Sequence, residues 1–335
     1  MKIIISLAIS LLFQVIVYGQ LSFSVPKDNP IELGKVNWMR NYDEAIALAT
    51  RSNKPIFILF QEVPGCATCR NFGNDVLSHP FIVEMIETHF VPLAIFNNVK
   101  GHDREILYRF KEPTWNNPVI RVVNQDGKDI VNRLGRGWTE LNVSYSIASA
   151  LDKWKQDIPE YFKIYQTELI GNSGPVKEAN LAMYCFWTGE KELSKIDGIL
   201  STEPGFMHGR EVVKIRYNPY DTNIDKIITK AEKVSCADAV YLDDTDEVNS
   251  DLPIKKTSKY RMDKDNKYYL SKTAYQNIPM TPLQATKVNG AIGSGDNPEK
   301  YLSPRQLELF NYYKNRKTIN VIGKPLIEKW YNLIN

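Results

Sequence analysis

The feature of this sequence that most constrains its fold is a short apolar run followed by two cysteines three positions apart. Residues 56–60, Ile-Phe-Ile-Leu-Phe, are bounded by turn residues and have the length of a buried strand. The next turn leads into Cys66 and Cys69, and residues 70–77 predict a helix. Cys66 would then lie at a helix N-terminus, where free backbone N–H groups favour a thiolate, and Cys69 could close a disulfide with it. The spacing indicates a catalytic redox pair more than a structural bridge.

The start of the chain has the pattern of a cleavable signal peptide. A basic residue precedes an apolar run at residues 3–17, which is shorter than the ~20 residues that a membrane-spanning helix needs. Val17 and Gly19 occupy the small-residue positions expected before a cut at Gln20. We therefore expect a signal peptide at 1–19, no membrane anchor after its removal, and a periplasmic or secreted protein. An uncleaved anchor is the alternative.

The overall charge of the chain excludes one class of partner. Loss of the signal peptide removes Lys2 from the 42 basic residues, which leaves a net charge of +2 against 39 acidic residues. So weak a charge provides no field that would hold a polyanion, and we expect no nucleic-acid partner. The remaining chain of about 315 residues exceeds the usual length of one domain and suggests two.

A proline-containing turn adds a second element to the cysteine pair. Residues 115–118, Trp-Asn-Asn-Pro, lead into a predicted strand at 119–123 and then a hairpin turn. A strand, a Cys-x-x-Cys at a helix start and an X-Pro before a β-hairpin together resemble the thioredoxin fold over residues 38–156. The resemblance implies that Pro118 is a cis proline that packs against the disulfide and shapes the substrate groove. The Val-Pro-Gly before Cys66 also resembles a redoxin group in which cysteine or selenocysteine occupies this position.

The rest of the chain suggests a second unit. From residue 177 onward, strand and helix patterns alternate, and residues 224–231 place apolar side chains on one helical stripe. We expect an α/β fold with an α+β second domain. The predicted layout is a signal peptide at 1–19, a linker or edge segment at 20–37, a first domain at 38–156, a linker at 157–176 and a second domain at 177–335.

Cys185 and Glu211 are the candidate reactive groups of the second unit. Cys185 lies in a nearly all-apolar run at residues 180–187, which we interpret as a strand. Strand alternation from Glu211 onward places its carboxylate on the same face as Val213 and Ile215. Desolvation favours a neutral carboxyl group, so Glu211 could donate a proton near neutral pH. A thiol and a proton donor form a redox-type pair.

Several motifs of this unit occur together in one family. They are the run Tyr184-Cys-Phe-Trp187, Glu190, Glu211 at a strand start, and the spaced pair Asp263 and Tyr268. Together they resemble the A-type peptide methionine sulfoxide reductases over residues 177–290. The resemblance implies a two-layer domain that reduces peptidyl methionine S-sulfoxide in oxidised proteins or peptides.

The resemblance also implies a role for each residue. Cys185 attacks the sulfoxide sulfur while Glu211 protonates the oxygen. The other implied roles are a pocket for the S-methyl group, formed by Phe186 and Trp187, and hydrogen bonding to the sulfoxide oxygen by Tyr268 and Asp263.

The sulfenic acid that forms on Cys185 needs a second thiol to resolve it. Cys236 could form an internal disulfide, or Cys66 could attack directly. We expect the Cys66/Cys69 dithiol to supply the electrons, because its tether to the second unit raises the effective concentration of the dithiol there to roughly millimolar. An upstream thiol reductant would then restore the dithiol. The four histidines show no ligand spacing with the cysteines, so we expect no metal and no other cofactor.

Two further hypotheses stay open. The chain could be an exported thiol–disulfide oxidoreductase or redox adaptor whose C-terminal domain binds methionine-containing partners without turnover. It could also be a structural exported protein. Activity towards a sulfoxide peptide and towards insulin separates the three.

Overall fold

The computed structural model describes residues 21–243 and 248–334, which form two sheets with helices packed against them. The predicted signal peptide at 1–19 lies outside the described residues. Within them, no helix is both long and apolar enough to cross a membrane. We refer to residues 21–173 as the first region and to residues 177–334 as the second region.

The strands and helices follow one another in mixed order along the chain. The strands are β1 (Ile56–Gln61), β2 (Val91–Phe96), β3 (Val119–Val123), β4 (Lys177–Ala182), β5 (Ile199–Met207), β6 (Arg210–Tyr217), β7 (Ala239–Leu242), β8 (Ile254–Lys256) and β9 (Arg261–Met262). The helices are α1 (Tyr42–Ser52), α2 (Ala67–Asn71), α3 (Pro80–His89), α4 (His102–Arg109), α5 (Glu140–Lys153), α6 (Glu160–Ser173), α7 (Phe186–Leu193), α8 (Ile224–Lys233), α9 (Tyr268–Ser271), α10 (Pro282–Ser294), α11 (Pro304–Tyr313) and α12 (Leu326–Ile334). A π-helical segment, Phe72–Val76, continues α2.

The first sheet has the order β2-β1-β3 and carries helices on both faces. β1 runs parallel to β2 and antiparallel to β3. All residues of β1 are buried, and they alternate between two cores because successive side chains point to opposite faces. Phe57 and Leu59 pack with α3 and α5, whereas Ile58 and Phe60 pack with α1 and α4. The buried strand predicted from the apolar run is confirmed.

The second sheet has the order β8-β7-β4-β6-β5-β9. Its strand β6 pairs antiparallel with both β4 and β5. Val213 and Ile215 of β6 pack with α7 and α8, whereas Val212 faces a smaller apolar cluster on the other side. The predicted alternation of this strand is confirmed, and it places Glu211 on the face that the helices cover.

The segment at 20–37, predicted as a linker or edge segment, and the predicted linker at 157–176 both contribute packed residues to the fold. Residues 157–176 contain α6, whose Tyr161 and Phe162 belong to the same core as α3 and α5. The segment 20–37 contributes buried Leu33 to that core. The glycine and proline that suggested the second linker stand just beyond the end of α6, where they terminate a helix. Neither segment is a free linker, and the domain limits themselves stay a prediction.

The last helices of the chain return to the first region. The backbone N–H of Arg305, in the first turn of α11, donates to Glu84 of α3 at 3.0 Å, and the Arg305 guanidinium pairs with Glu87. Tyr331 of α12 donates its hydroxyl proton to the Ser78 carbonyl at 2.8 Å. Burial raises the pKa of Glu84. The tail, for which the sequence suggests no chemistry, therefore fixes the second region onto the first.

Candidate active site and a second thiol site

Cys66 and Cys69 lie side by side just beyond the end of β1 as free thiols. Cys66 is the N-cap residue of α2 and is exposed, whereas Cys69, one turn later, is buried. Their sulfur atoms are 3.7 Å apart. Two thiols at this separation can form a disulfide after a small movement of their side chains.

The two thiols differ in acidity. Hydrogen bonding, first from the backbone N–H of Cys69, lowers the pKa of Cys66. Burial raises the pKa of Cys69 to about 12. Because the thiolate is the reactive form of cysteine, the lowered pKa makes Cys66 the more reactive of the two thiols, and the raised pKa favours the protonated form of Cys69.

The turn that carries Pro118 contacts the buried thiol. The peptide bond between Asn117 and Pro118 is cis, which is the isomer that the resemblance implies. Asn117 Oδ1 accepts a hydrogen bond from the Cys69 thiol at 2.8 Å. The Pro118 carbonyl accepts one from Trp138 Nε1 at 2.7 Å. The turn is thus anchored at two points, and a role of Pro118 in substrate binding stays a prediction.

Glu32 and Gln61 support the cysteine loop, and sequence reasoning missed both. The buried Glu32 accepts the backbone N–H of Gly65 at 2.9 Å. Gln61 Nε2 donates to the carbonyls of Glu32 and Cys69 at 2.9 and 3.3 Å. A Cβ atom at position 65 would lie 2.3 Å from the Glu62 carbonyl oxygen, so only glycine fits there. No local motif could indicate Glu32, because it lies 33 residues before Gly65.

A buried strand, a Cys-x-x-Cys at a helix start and a cis-proline turn define the class of oxidoreductases that act on thiols. Residues 37–125 match the family model described as thioredoxin-like. The solved structure of a DsbH oxidoreductase is 18% identical, with 39% of this chain and 94% of that chain covered and a TM-score of 0.31. A thioredoxin from Thermus thermophilus is 23% identical, with 36% and 89% covered and a TM-score of 0.31. A search of curated proteins finds no match.

The predicted fold class is confirmed. Residues 37–125 form a thioredoxin-like domain, and a further α+β region built on the second sheet follows it. The family match covers the dithiol and the cis-proline turn, and it does not extend to the second region.

Cys185 lies at a helix start instead of inside a strand, which corrects the prediction. β4 ends at Ala182, and Cys185 is the N-cap residue of α7. Its carbonyl accepts the backbone N–H of Gly189 at 3.0 Å. The prediction was wrong because periodicity cannot assign a short apolar run to a strand or to a buried helix. The thiol is partly exposed, and Tyr184 before it is 95% exposed.

Glu211 reaches the start of the same helix. Its Oε2 accepts the backbone N–H of Phe186 at 2.9 Å, and its carbonyl accepts that of Met183 at 3.0 Å. A carboxylate at a helix N-terminus complements the helix dipole. The fold thus brings the carboxylate of Glu211 to the residue next to Cys185, while the catalytic roles of both stay predictions.

Aromatic rings from three segments stack beside this helix start. Trp187 lies on Tyr268 of α9, with ring centroids 3.8 Å apart and planes 15° apart. Phe186 stacks on Trp187 at 5.6 Å and meets the edge of Phe206 at 5.4 Å. The residues predicted to line a sulfoxide pocket therefore form one cluster.

The two remaining predicted residues, Asp263 and Cys236, lie in separate segments of the second region. Asp263 accepts the backbone N–H of Asp265 at 3.2 Å within its own loop. Cys236, just after α8, is buried, and burial together with the charge of Glu192 raises its pKa to about 11. All four cysteines of the chain are free, so Cys185 and Cys236 are not bonded to each other in this structure.

A buried ion pair links α7 to the segment before Tyr268. The fully buried Glu190 accepts from Lys267 Nζ at 2.8 Å and from Thr202 Oγ1 at 3.0 Å. Lys267 is 5% exposed and also donates to the Thr202 carbonyl. Because Lys267 directly precedes Tyr268, the pair fixes the aromatic segment against α7. Sequence reasoning missed Lys267, since a lysine among aspartates and tyrosines resembles surface sequence.

Proposed function

We propose that this chain is an exported thiol–disulfide oxidoreductase that acts through Cys66 and Cys69. The observation that carries the proposal is the asymmetry of the dithiol. An exposed thiol with a lowered pKa lies 3.7 Å from a buried thiol with a raised pKa. The apolar N-terminal run supports export to the periplasm or beyond, with no membrane anchor once the signal peptide is cleaved.

The reaction follows from this asymmetry. The Cys66 thiolate attacks one sulfur of a partner disulfide, forms a mixed disulfide and releases the first partner thiol. Cys69 then loses its proton and attacks the Cys66 sulfur, which releases the second partner thiol. Two electrons pass to the partner, and the chain is left with a Cys66–Cys69 disulfide. An upstream thiol reductant restores the dithiol.

Reduction of insulin disulfides tests this function. We expect the wild-type chain to catalyse it with dithiothreitol as reductant and Cys66→Ser to be inactive. Cys69→Ser should accumulate a mixed disulfide between Cys66 and the substrate, which mass spectrometry detects. Insulin reduction by a folded Cys66→Ser chain at the wild-type rate would overturn the proposal.

A second candidate function is reduction of peptidyl methionine S-sulfoxide at Cys185. The position of Glu211 at the start of α7 and the stack of Trp187 on Tyr268 favour it. Cys185 would bond to the sulfoxide sulfur while Glu211 protonates the oxygen, which leaves methionine and a sulfenic acid. A second thiol, from Cys236 or from the dithiol, would convert the sulfenic acid into a disulfide and water.

Mass spectrometry of a methionine sulfoxide peptide with dithiothreitol tests the second candidate. The expected product has lost one oxygen atom. If the folded wild-type chain gives no product, the second candidate fails. Insulin reduction that survives Cys185→Ser would then support a redox adaptor whose second region binds partners without turnover. Electron relay between the regions predicts a disulfide from Cys66 to Cys185 or Cys236 in the Cys69→Ser chain.

A further inference from the structure

Glu62, Cys66 and Cys69 form a cluster of three groups that can ligate a metal ion. The ligand atoms of the three side chains all lie within 4.8 Å of one another, and the two sulfur atoms are 3.7 Å apart. Glu62 directly follows β1, so it reaches the site from the strand end, whereas the cysteines come from the start of α2. Disulfide exchange uses the two thiols and leaves this carboxylate without a role.

The separation of the sulfur atoms matches a tetrahedral metal site. Zinc–thiolate bonds are ~2.3 Å long, so two of them at the tetrahedral angle place their sulfur atoms ~3.8 Å apart. The observed sulfur–sulfur distance of 3.7 Å fits this spacing. A carboxylate oxygen bound at ~2.1 Å would lie ~3.6 Å from each sulfur. The partly exposed Glu62 can reach that position by rotating about its side-chain bonds.

The loop between the ligands is held in place. Asn98 accepts the backbone N–H of Val63 at 3.3 Å, and Glu32 accepts that of Gly65 at 2.9 Å. A Cβ atom at Gly65 would lie 2.7 Å from the Cys69 Cβ atom, so the loop is packed against the second cysteine. A loop backbone that is fixed in advance loses little conformational entropy on binding a metal, which leaves mainly the Glu62 side chain to be ordered.

Asn117 can serve both the protonated and the metal-bound dithiol. Its Oδ1 accepts the proton of the Cys69 thiol at 2.8 Å. A metal-bound thiolate has no proton to donate, but half a turn of the Asn117 amide presents an Nδ2–H donor to the sulfur instead. A hydrogen bond of this kind tunes and orients a metal ligand.

We propose that the reduced protein binds a thiophilic divalent cation such as Zn²⁺ through Cys66, Cys69 and Glu62, with the fourth position open to solvent. Each thiol releases its proton on binding. Thiolate ligands select Zn²⁺, Co²⁺ or Cd²⁺ over Mg²⁺ and Ca²⁺. The expectation of no metal rested on the histidines, and this ligand set contains none. A bound cation occupies both sulfur atoms, so it protects the dithiol from oxidation and stops disulfide exchange.

Titration of the reduced full chain with Co²⁺ tests the site, because cobalt thiolates absorb in the near ultraviolet. We expect one thiolate-bound Co²⁺ per chain, and we expect Cys66→Ser to lose the band although Cys185 and Cys236 remain. Glu62→Gln should weaken binding by about tenfold or more. The control Asp126→Asn removes an exposed carboxylate beyond the far end of β3 and should bind like the wild type. No band in the reduced wild type, or equal affinity for Glu62→Gln, would overturn the proposal.

Protection from oxidation gives an independent measurement. Added Zn²⁺ should slow oxidation of the dithiol by diamide in the wild type and much less in Glu62→Gln, and a chelator should restore the rate. An unchanged oxidation rate in the wild type would count against the site. Metal binding and the proposed disulfide-exchange activity can fail independently of each other. A chain that reduces insulin but binds no Co²⁺ lacks only the metal site, whereas one that binds Co²⁺ but fails on insulin lacks only the exchange activity.

Discussion

Cys66 lies 3 residues from its partner thiol, whereas the site around Cys185 is assembled from distant parts of the chain. Glu211 is 25 residues from Phe186, whose N–H it accepts, and Lys267 is 77 residues from Glu190. Within the described chain, no hydrogen bond or ion pair joins the Cys66 loop to the loop of Cys185. The two thiols of the first site therefore come from one short motif, although Glu32 and Asn117 support them from distant parts of the chain. The groups of the second site come from separate segments of the second region.

The largest expected effect is a separation of two activities. Cys185→Ser should abolish sulfoxide reduction with dithiothreitol and leave insulin reduction unchanged. Cys66→Ser should do the reverse, because dithiothreitol can reduce the second site directly. Peptide mass spectrometry and insulin turbidity measure the two rates. If either substitution removes both activities from a folded chain, the two sites are not independent.

Loss of the buried ion pair should destabilise the second region alone. Lys267→Met leaves Glu190 buried without its cation, which costs about 3–5 kcal/mol of unfolding free energy. The matched control is Lys163→Met, which breaks an exposed pair with Glu160 and should cost less than about 1 kcal/mol. Urea unfolding measures both, and insulin reduction should survive in the folded Lys267→Met chain. Equal losses for the two variants would contradict the expectation.

The contact between the regions should respond to pH through Glu168 of α6. Burial raises the pKa of Glu168 from 4.5 to about 7, and its Oε1 accepts the N–H of Leu283 in the first turn of α10. The folded chain holds this proton more tightly than the unfolded chain. The contribution to stability is therefore complete below about pH 4.5, falls by about 3 kcal/mol in total as the pH rises through 7, and levels off above about pH 8.

Glu168→Gln should remove this decline, since a glutamine side chain does not ionise. Urea unfolding at pH 5, 6, 7 and 8 compares the variant with the wild type, and the difference isolates this one group from the other carboxyl groups. The same slope in both chains would show that Glu168 does not couple the regions to pH.

Substitution of Glu211, the proton donor predicted for the second site, should have a smaller effect on activity. Glu211→Gln should slow sulfoxide reduction by about 100-fold, the usual contribution of a general acid, while insulin reduction stays unchanged. Glutamine can still accept the Phe186 N–H, so the start of α7 should keep its structure. The control Glu178→Gln alters a glutamate that pairs with Lys214 on the opposite face of β6. Unchanged kinetics in Glu211→Gln would mean that the proton comes from another group.

The smallest effect concerns the acidity of Cys66. The main cause of its lowered pKa is the backbone N–H of residue 69, which serine retains. In Cys69→Ser, the pH at which Cys66 becomes reactive towards iodoacetamide should therefore rise only slightly and stay below that of Cys236. Peptide-level mass spectrometry against pH measures this. If the pH at which Cys66 becomes reactive rises to that of an ordinary cysteine, the lowered pKa of Cys66 depends on the Cys69 side chain instead of on the backbone.

The same difference between the regions decides how much the sequence could predict. Cys66 and Cys69 belong to a local motif, β1 follows from a continuous apolar run and β6 from local alternation, so sequence patterns were sufficient for them. The cis isomer at Pro118 followed from the resemblance to the thioredoxin fold. The helix at Cys185 was mistaken for a strand because its apolar run fits both.

Groups that act over long distances in the chain could not be predicted. Glu32 and Lys267 are ordinary polar residues in ordinary surroundings, and only the folded chain brings each one to its partner. The helix α6 looked like a linker because the turn residues that end it are visible in sequence, whereas the core that it covers is not.

The contact between Glu84 and Arg305 joins residues 221 positions apart, and it sets an order of events during synthesis. Glu84 lies on a helix that can form as soon as the first region leaves the ribosome, but its partner is made near the end of translation. Until α11 and α12 are synthesised and pack, the face of the first region that carries Glu84 is open to water and to chaperones. A chain that is made from its N-terminus would therefore complete the packing of its first region last, although that region is the first to emerge.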